Sequence, residues 1–171
     1  MEPTIQDLIP EIITELSKAD QDALSEYYLS VKTLSEKSWN LEFNNKDQFH
    51  GAIVMSQIFN TAKNEINVFA GNFNGDISAK SIYQESLRNA IISRNVKLTV
   101  IFEEQPHTSA SGYLMLKEIF VAKPENIQVK VLTDTFKKSF EAGDKLNHFT
   151  ISDELIFRYE VDTVKYKAFC N

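Results

Sequence analysis

Between Gln48 and Leu132 the apolar residues switch repeatedly between a helical and a strand period, and that alternation constrains the fold more than any other feature. Phe49, Ala52, Ile53, Ile58, Phe59 and Ala62 recur at helical steps, which predicts a helix from about Gln48 to Lys63. The period then shortens over Glu65–Gly71, where β-prone residues concentrate as a strand requires. Asn72–Asp76 contains an Asn-Gly pair that tolerates positive φ, so it reads as a turn. Ser78 is a candidate cap for the next helix, whose stripe is Ile82, Leu87, Ala90 and Ile91. Asn95 ends that helix, Val96–Phe102 reads as a second strand, and Glu103–Gly112 as a polar loop. A short helix around Tyr113–Phe120 and a third strand, Ile127–Leu132, follow. Strand, helix and strand in this order favour a parallel sheet covered by helices.

Both flanks depart from that rhythm. Ile5, Leu8, Ile9, Ile12, Ile13 and Leu16 mark an amphipathic helix, with Pro3 at its start and Pro10 forcing a kink or restart. Leu24, Tyr27, Tyr28, Val31 and Leu34 mark a second one, with Asp20 as its candidate cap. The two predict a helical hairpin over residues 1–44, joined through the polar passage Asn44–Asp47 to an α/β domain over residues 45–171. Beyond Asn147 helices vanish. His148–Ser152, Leu155–Val161 and Val164–Phe169 read as three short strands with turns at Asp153–Glu154 and Asp162–Thr163. The expected class is therefore α/β, with a mixed sheet flanked by helices.

Charge narrows the function classes. With 24 acidic against 18 basic residues the formal charge is -6, and no Lys/Arg block occurs, so broad electrostatic binding of nucleic acid is disfavoured. The single cysteine, Cys170, excludes an internal disulfide and a cysteine-based zinc cluster. His50, His107 and His148 are scattered, and neither His50 nor His107 shares a metal-binding spacing with acidic residues, so neither a metal nor a cofactor is expected. No apolar run approaches the roughly 20 residues of a membrane span. The N-terminus has neither the basic start nor the apolar stretch of a signal peptide, and a cytoplasmic protein is expected.

In α/β folds sites gather where loops leave the C-terminal ends of parallel strands. Here that edge carries Asn72–Ile77 and Glu103–Gly112, with His148 opening the later strand region. Asn72 and Asn74 are turn formers first. Glu103 and Glu104 read as solvated loop carboxylates that would repel phosphate; Glu160 reads as a solvated strand position. Arg158 alternates with Phe157 and Tyr159, so it could meet a ligand anion or form an exposed ion pair.

From about Asp47 to Asn171 this order of elements, ending in the segment that starts at His148, resembles a phospholipase D-like domain. Active members of that family hydrolyse or transfer phosphodiesters. They use a histidine, a lysine two residues on, an aspartate further along and a small-Ser-x-Asn element, and two such halves meet to complete the site. The resemblance places His148 at the histidine, Thr150 where the lysine belongs, and Asp153 nearest the aspartate, two positions early. The run Ala168–Asn171 matches the last element without its serine, with Asn171 at the asparagine. The motif is degenerate.

Thr150 offers one neutral hydrogen bond where an ammonium would meet phosphate, and loss of a transition-state donor commonly costs about 10²–10³ in rate. Lys165 and Lys167 are the nearby candidates to restore the charge. Two functions are therefore expected from the resemblance. One is a non-catalytic binding or scaffolding module, homodimeric, with Asn72, Asn74, Thr150, Asp153 and Arg158 as ligand-binding candidates and the N-terminal helices meeting a protein partner. The other is a divergent phosphodiesterase of nuclease or phospholipase type, with His148 as nucleophile and Asn171, Lys165 and Lys167 around the phosphate. A chain ending at Asn171, straight after a strand, also suggests a fragment of a longer protein or a self-associating edge.

Overall fold

The computed structural model describes residues 3–37, 43–138, 146–153, 156–162 and 167–170. Three helices open it, where the sequence suggests two. Helix α1 (Ile5–Leu8) begins with a capping box: Thr4 Oγ1 accepts from the Asp7 backbone N–H, and the Asp7 carboxylate accepts from the Thr4 N–H at 2.8 Å. Pro10 stops it, and α2 (Ile12–Glu15) and α3 (Lys18–Glu36) follow. The cap of α3 is Ser17, which accepts from the Asp20 N–H; Asp20, the expected cap, stands in the first turn instead. Ile5, Ile9, Ile12, Leu24 and Val31 join the common core, so these helices are packed onto the sheet domain.

Helix α4 (Gln48–Thr61) is the centre of the molecule. Asp47 caps it by accepting from the Phe49 and His50 N–H groups, and every described residue from Gly51 to Phe59 is buried. A helix buried all round has no solvent face, which explains why its apolar residues do not resolve into one stripe. It packs against α3 on one side and α6 (Ser81–Arg88) on another.

The sheet has seven strands in the order β1-β7-β6-β5-β2-β3-β4. These are β1 (Phe43–Asn45), β2 (Glu65–Ala70), β3 (Lys97–Phe102), β4 (Ile127–Val131), β5 (Phe149–Ser152), β6 (Ile156–Asp162) and β7 (Lys167–Cys170). The run β2-β3-β4 is parallel, joined by α5 (Asp76–Ala79), α6 with a π-helical turn over Asn89–Ser93, and α7 (Ser111–Ala122). The later strands are antiparallel, and β1 extends the expected polar passage into an edge strand against β7. The sheet is open, mixed and of α/β class. Among the described residues no helix is long and apolar enough to cross a membrane.

Burial alternates along the strands, and one face of the sheet carries the core. Ile66, Val68, Leu98, Val100 and Phe102 point into it, as do Thr150, Ser152, Arg158, Glu160, Ala168 and Cys170. The opposite face shows Phe69, Ile101, Ile151 and Phe157 half-buried, with Phe149 and Tyr159 exposed. Among the described residues the helices therefore cover one face.

Two corrections concern local chemistry. Ser78 lies inside α5 instead of capping a helix, and its hydroxyl reaches the carbonyl oxygens of Phe73 and Gly75 at 3.0 Å each. A Cβ on Gly112, at the start of α7, would meet Ser78 Oγ at 2.6 Å, so that close approach requires glycine. Asp153, expected near the ligand, is a structural carboxylate: it accepts from the N–H groups of Lys63, Asn64 and Glu65 at 2.6, 2.8 and 2.9 Å. It thereby fixes the junction between α4 and β2, at the end of β5 remote from His148.

Candidate functional site

Strand register builds the site. Strand β5 runs antiparallel to β2 and pairs Phe149 with Phe69 and Thr150 with Val68, which sets His148 beside the C-terminal end of β2. Strand β6 pairs Thr150 with Arg158, and the Glu160 N–H donates to the His148 carbonyl at 2.8 Å. Two neighbouring rows thus cross the sheet on its buried face, Val68–Thr150–Arg158 and His148–Glu160. The chain leaves β2 through Gly71, where a Cβ would stand 3.1 Å from His148 Cε1, so the missing side chain makes room for the imidazole. Phe73, with φ 57°, turns the loop back over the sheet and packs edge-on against Phe102.

Between the strand ends and this loop lies a cavity of about 240 Å³. Met55, Val68, Phe69, Phe73 and Tyr83 give it apolar walls, and His148, Thr150, Arg158, Glu160 and Asn72 give it polar ones. A mostly apolar concavity with a few convergent polar groups is the usual form of a ligand site.

Its electrostatics rest on four side chains. His148 Nε2 lies 3.0 Å from Glu103 Oε2, and Nδ1 lies 3.4 Å from Glu160 Oε2. Arg158 donates from its terminal nitrogen to Glu160 Oε1 at 3.0 Å, and both residues are over nine-tenths buried. Hydrogen bonding to Glu160 raises the His148 pKa above its ordinary value; burial opposes this, and Glu103 adds to it. Burial pushes the Glu160 carboxyl up, but the bond to His148 and the charge of Arg158 outweigh it and hold the pKa low. The Nε of Arg158 is buried with no hydrogen-bond partner among the described residues. The Arg158 guanidinium thus presents one unused N–H donor beside the cavity, while its charge is met by Glu160 at 3.0 Å.

The structure brings together His148, Thr150, Arg158 and Asn72 of the expected residues. Asn72 also shapes its own turn, its Oδ1 accepting from the Asn74 N–H at 3.1 Å. Asn74 stands outside the lining, and its Oδ1 accepts from the His107 N–H at 3.3 Å. Asp153 is at the far end of β5. Lys167 belongs to β7, opposite Asp162. Lys165 and Asn171 lie outside the described residues. Two carboxylates differ from the solvated positions expected of them: Glu160 is a buried partner of Arg158 and His148, and Glu103 reaches His148 from the end of β3. Those carboxylates address opposite ring nitrogens and so cannot close on one ion, and no cluster of three potential metal ligands occurs among the described residues.

No family model matches the sequence, and no curated protein matches it. The fold does recur among solved structures. TrmBL2, an archaeal chromatin protein whose structure shows a novel mode of DNA binding, superposes with a TM-score of 0.51 at 18% identity. The match covers 97% of this chain and 58% of TrmBL2, so the chain spans less than two thirds of that protein. NucT from Helicobacter pylori superposes with a TM-score of 0.49 at 11% identity, over 76% of this chain and 84% of that one.

Proposed function

We propose that the His148 pocket cleaves phosphodiesters and that the chain is a divergent phospholipase D-like unit in which Arg158 replaces the missing lysine. One observation carries the reading. Thr150, at the lysine position, pairs directly across the ladder with Arg158, a buried cation that lines the cavity with a free Nε. The charge lost at one residue is thus present one strand away. A planar guanidinium suits phosphate oxygens, and in a site screened from water such a donor is worth far more than at the surface.

The remaining groups fall into roles around it. Glu160 orients the ring from Nδ1, and Nε2 attacks phosphorus once Glu103 swings aside and takes its proton. A P–N bond forms, the P–O bond to the leaving group breaks, and the departing oxygen takes the proton from Glu103. Water then hydrolyses the phosphohistidine. Thr150 and Asn72 add neutral donors. The likeness in fold to a DNA-binding chromatin protein makes nucleic-acid phosphodiesters the first substrates to try, with phospholipid head groups second.

A second reading, a binding or scaffolding module without chemistry, is favoured by the 3.0 Å contact that occupies His148 Nε2. The two separate on incubation with bis(p-nitrophenyl) phosphate and short oligonucleotides. The hydrolytic reading expects turnover, a trapped phosphohistidine on His148, and loss of both in His148→Ala and Arg158→Met. Absence of turnover and adduct across the panel, with a folded protein, leaves the binding module.

A further inference from the structure

We infer that Glu103 is a charge gate that admits singly charged phosphodiesters to the His148 pocket and bars doubly charged phosphomonoesters. The inference rests on the phosphate-handling reading above and adds the residue that selects the substrate's charge.

The argument begins with what each charge already faces. Arg158 is held by Glu160 at 3.0 Å, and His148 lies between Glu160 at 3.4 Å and Glu103 at 3.0 Å. Even with the imidazole protonated, two cations only balance two carboxylates, so in either protonation state the cluster carries no surplus positive charge. An incoming anion must therefore take the place of a carboxylate. Glu160 cannot yield: it is 7% exposed and bound to two partners on its own and the adjoining strand. Glu103 can, because its side chain is 32% exposed and is held by a single contact, to His148, among the described residues. Its backbone stays fixed, since the Glu103 N–H donates to Ala70 and the Glu104 N–H donates to Gly71. Displacement is thus a side-chain movement that leaves a negative charge within a few ångströms of the bound ligand.

That residual charge discriminates. A monoanion replaces the carboxylate one for one on His148. A dianion brings a second negative charge beside Glu103 with no unspent cation to meet it. Repulsion between like charges at such a distance in a half-buried site weakens binding by about tenfold or more. In a nucleic acid the gate favours internal linkages, each singly charged, over terminal phosphates.

Dimethyl phosphate and methyl phosphate are the probes, titrated at about pH 8, where the monoester is a dianion because its second pKa is about 6. His148 ring resonances report binding. The wild-type chain should bind dimethyl phosphate at least about tenfold more tightly. Glu103→Gln keeps the shape and should bring the ratio close to one, whereas Glu104→Gln should leave it unchanged. A second measurement needs no variant: at about pH 5 methyl phosphate is a monoanion, and its affinity should converge on that of dimethyl phosphate. An unchanged ratio in Glu103→Gln, or no convergence at low pH, overturns the gate while diester binding by the wild type leaves the phosphate-handling reading standing. If neither probe perturbs His148 in the wild type or in Glu103→Gln, the phosphate-handling reading falls and the gate with it.

Discussion

The buried face of the sheet has two halves built on opposite principles. Under β2 and β3 the inward residues are Ile66, Val68, Leu98, Val100 and Phe102, all apolar and almost wholly inaccessible. Under β5 and β6 the buried inward residues are Thr150, Ser152, Arg158 and Glu160, all polar or charged, with half-buried Ile156 opposite Ser152 as the apolar exception. Burial is the same on both halves; the chemistry is not. The first half gains stability simply from removing apolar surface from water. The second must desolvate two full charges, which is tolerable only because Arg158 and His148 both pair with Glu160. The sheet places this cluster where the cavity opens, and that coincidence is the physical argument for a site.

The largest test of the contrast removes one charge and leaves its partner. Glu160→Leu strands Arg158 in the core and should lower unfolding free energy by about 3–5 kcal/mol. Adding Arg158→Met should recover most of that loss, since two apolar groups of similar size replace a pair. Chemical denaturation of the single and double variants checks this; a double variant no more stable than Glu160→Leu would mean the cluster is not a closed pair. The apolar half should behave differently. Leu98→Ala should cost about 2–5 kcal/mol through lost transfer energy and a residual cavity, with no neighbouring substitution that restores it by charge balance.

The same contrast explains what could be read from the sequence. In β2 and β3 the apolar residues and the core agree, so period, range and facing follow from composition: Glu65–Ala70 and Lys97–Phe102 stand where the strand-like periods lie. In β6 the strand was legible but its facing was not. Alternation offers two solutions, Phe157 and Tyr159 inward or Arg158 and Glu160 inward, and the hydrophobic pattern selects the first. The structure adopts the second, leaving Tyr159 38% exposed and Arg158 at 6%. Local pattern failed where partners from β3 and β5 decide the outcome, because Glu103 and His148 are 45 residues apart. The family resemblance singles out His148 and Thr150, and both line the cavity; Glu160 has no local signal beyond its two-residue step from Arg158. Asp153 illustrates the reverse error, an acidic residue close in sequence to His148 whose geometry is that of a structural brace.

That brace gives the next, smaller effect. Asp153→Ala leaves the N–H groups of Lys63, Asn64 and Glu65 without their acceptor and forces a non-glycine residue to hold φ 50° without compensation. The junction is partly solvated, so water recovers some of the loss, and about 1–3 kcal/mol is expected. Asp153→Asn should fall between the wild type and Ala. If the comparison between halves is right, the loss appears in thermal unfolding and leaves the His148 resonances in place, because Asp153 belongs to the far end of the strand.

The smallest effect is the dependence of stability on pH, and it belongs to one half alone. The His148 pKa is raised in the folded chain above its ordinary 6.5. A raised folded pKa contributes stability that is fully present below 6.5 and is lost as pH rises through the folded value. Glu160 has the opposite sign: its pKa is lowered, so its contribution is present above the ordinary carboxyl value of 4.5 and is lost as pH falls through the folded one. The two together predict a stability plateau between mildly acidic and neutral pH, with one shoulder on each side. His148→Gln should flatten the alkaline shoulder and weaken the acidic one, since part of the depression of Glu160 comes from His148. Leu98→Ala should lower the whole curve without changing its shape, because no titrating group faces Leu98 within the apolar row. Denaturation midpoints from about pH 4 to pH 9 decide it, the range being set by ordinary carboxyl and imidazole pKa values. A His148→Gln curve parallel to the wild type would show that the imidazole gains nothing from its carboxylates. The charged half would then differ from the apolar half in composition alone.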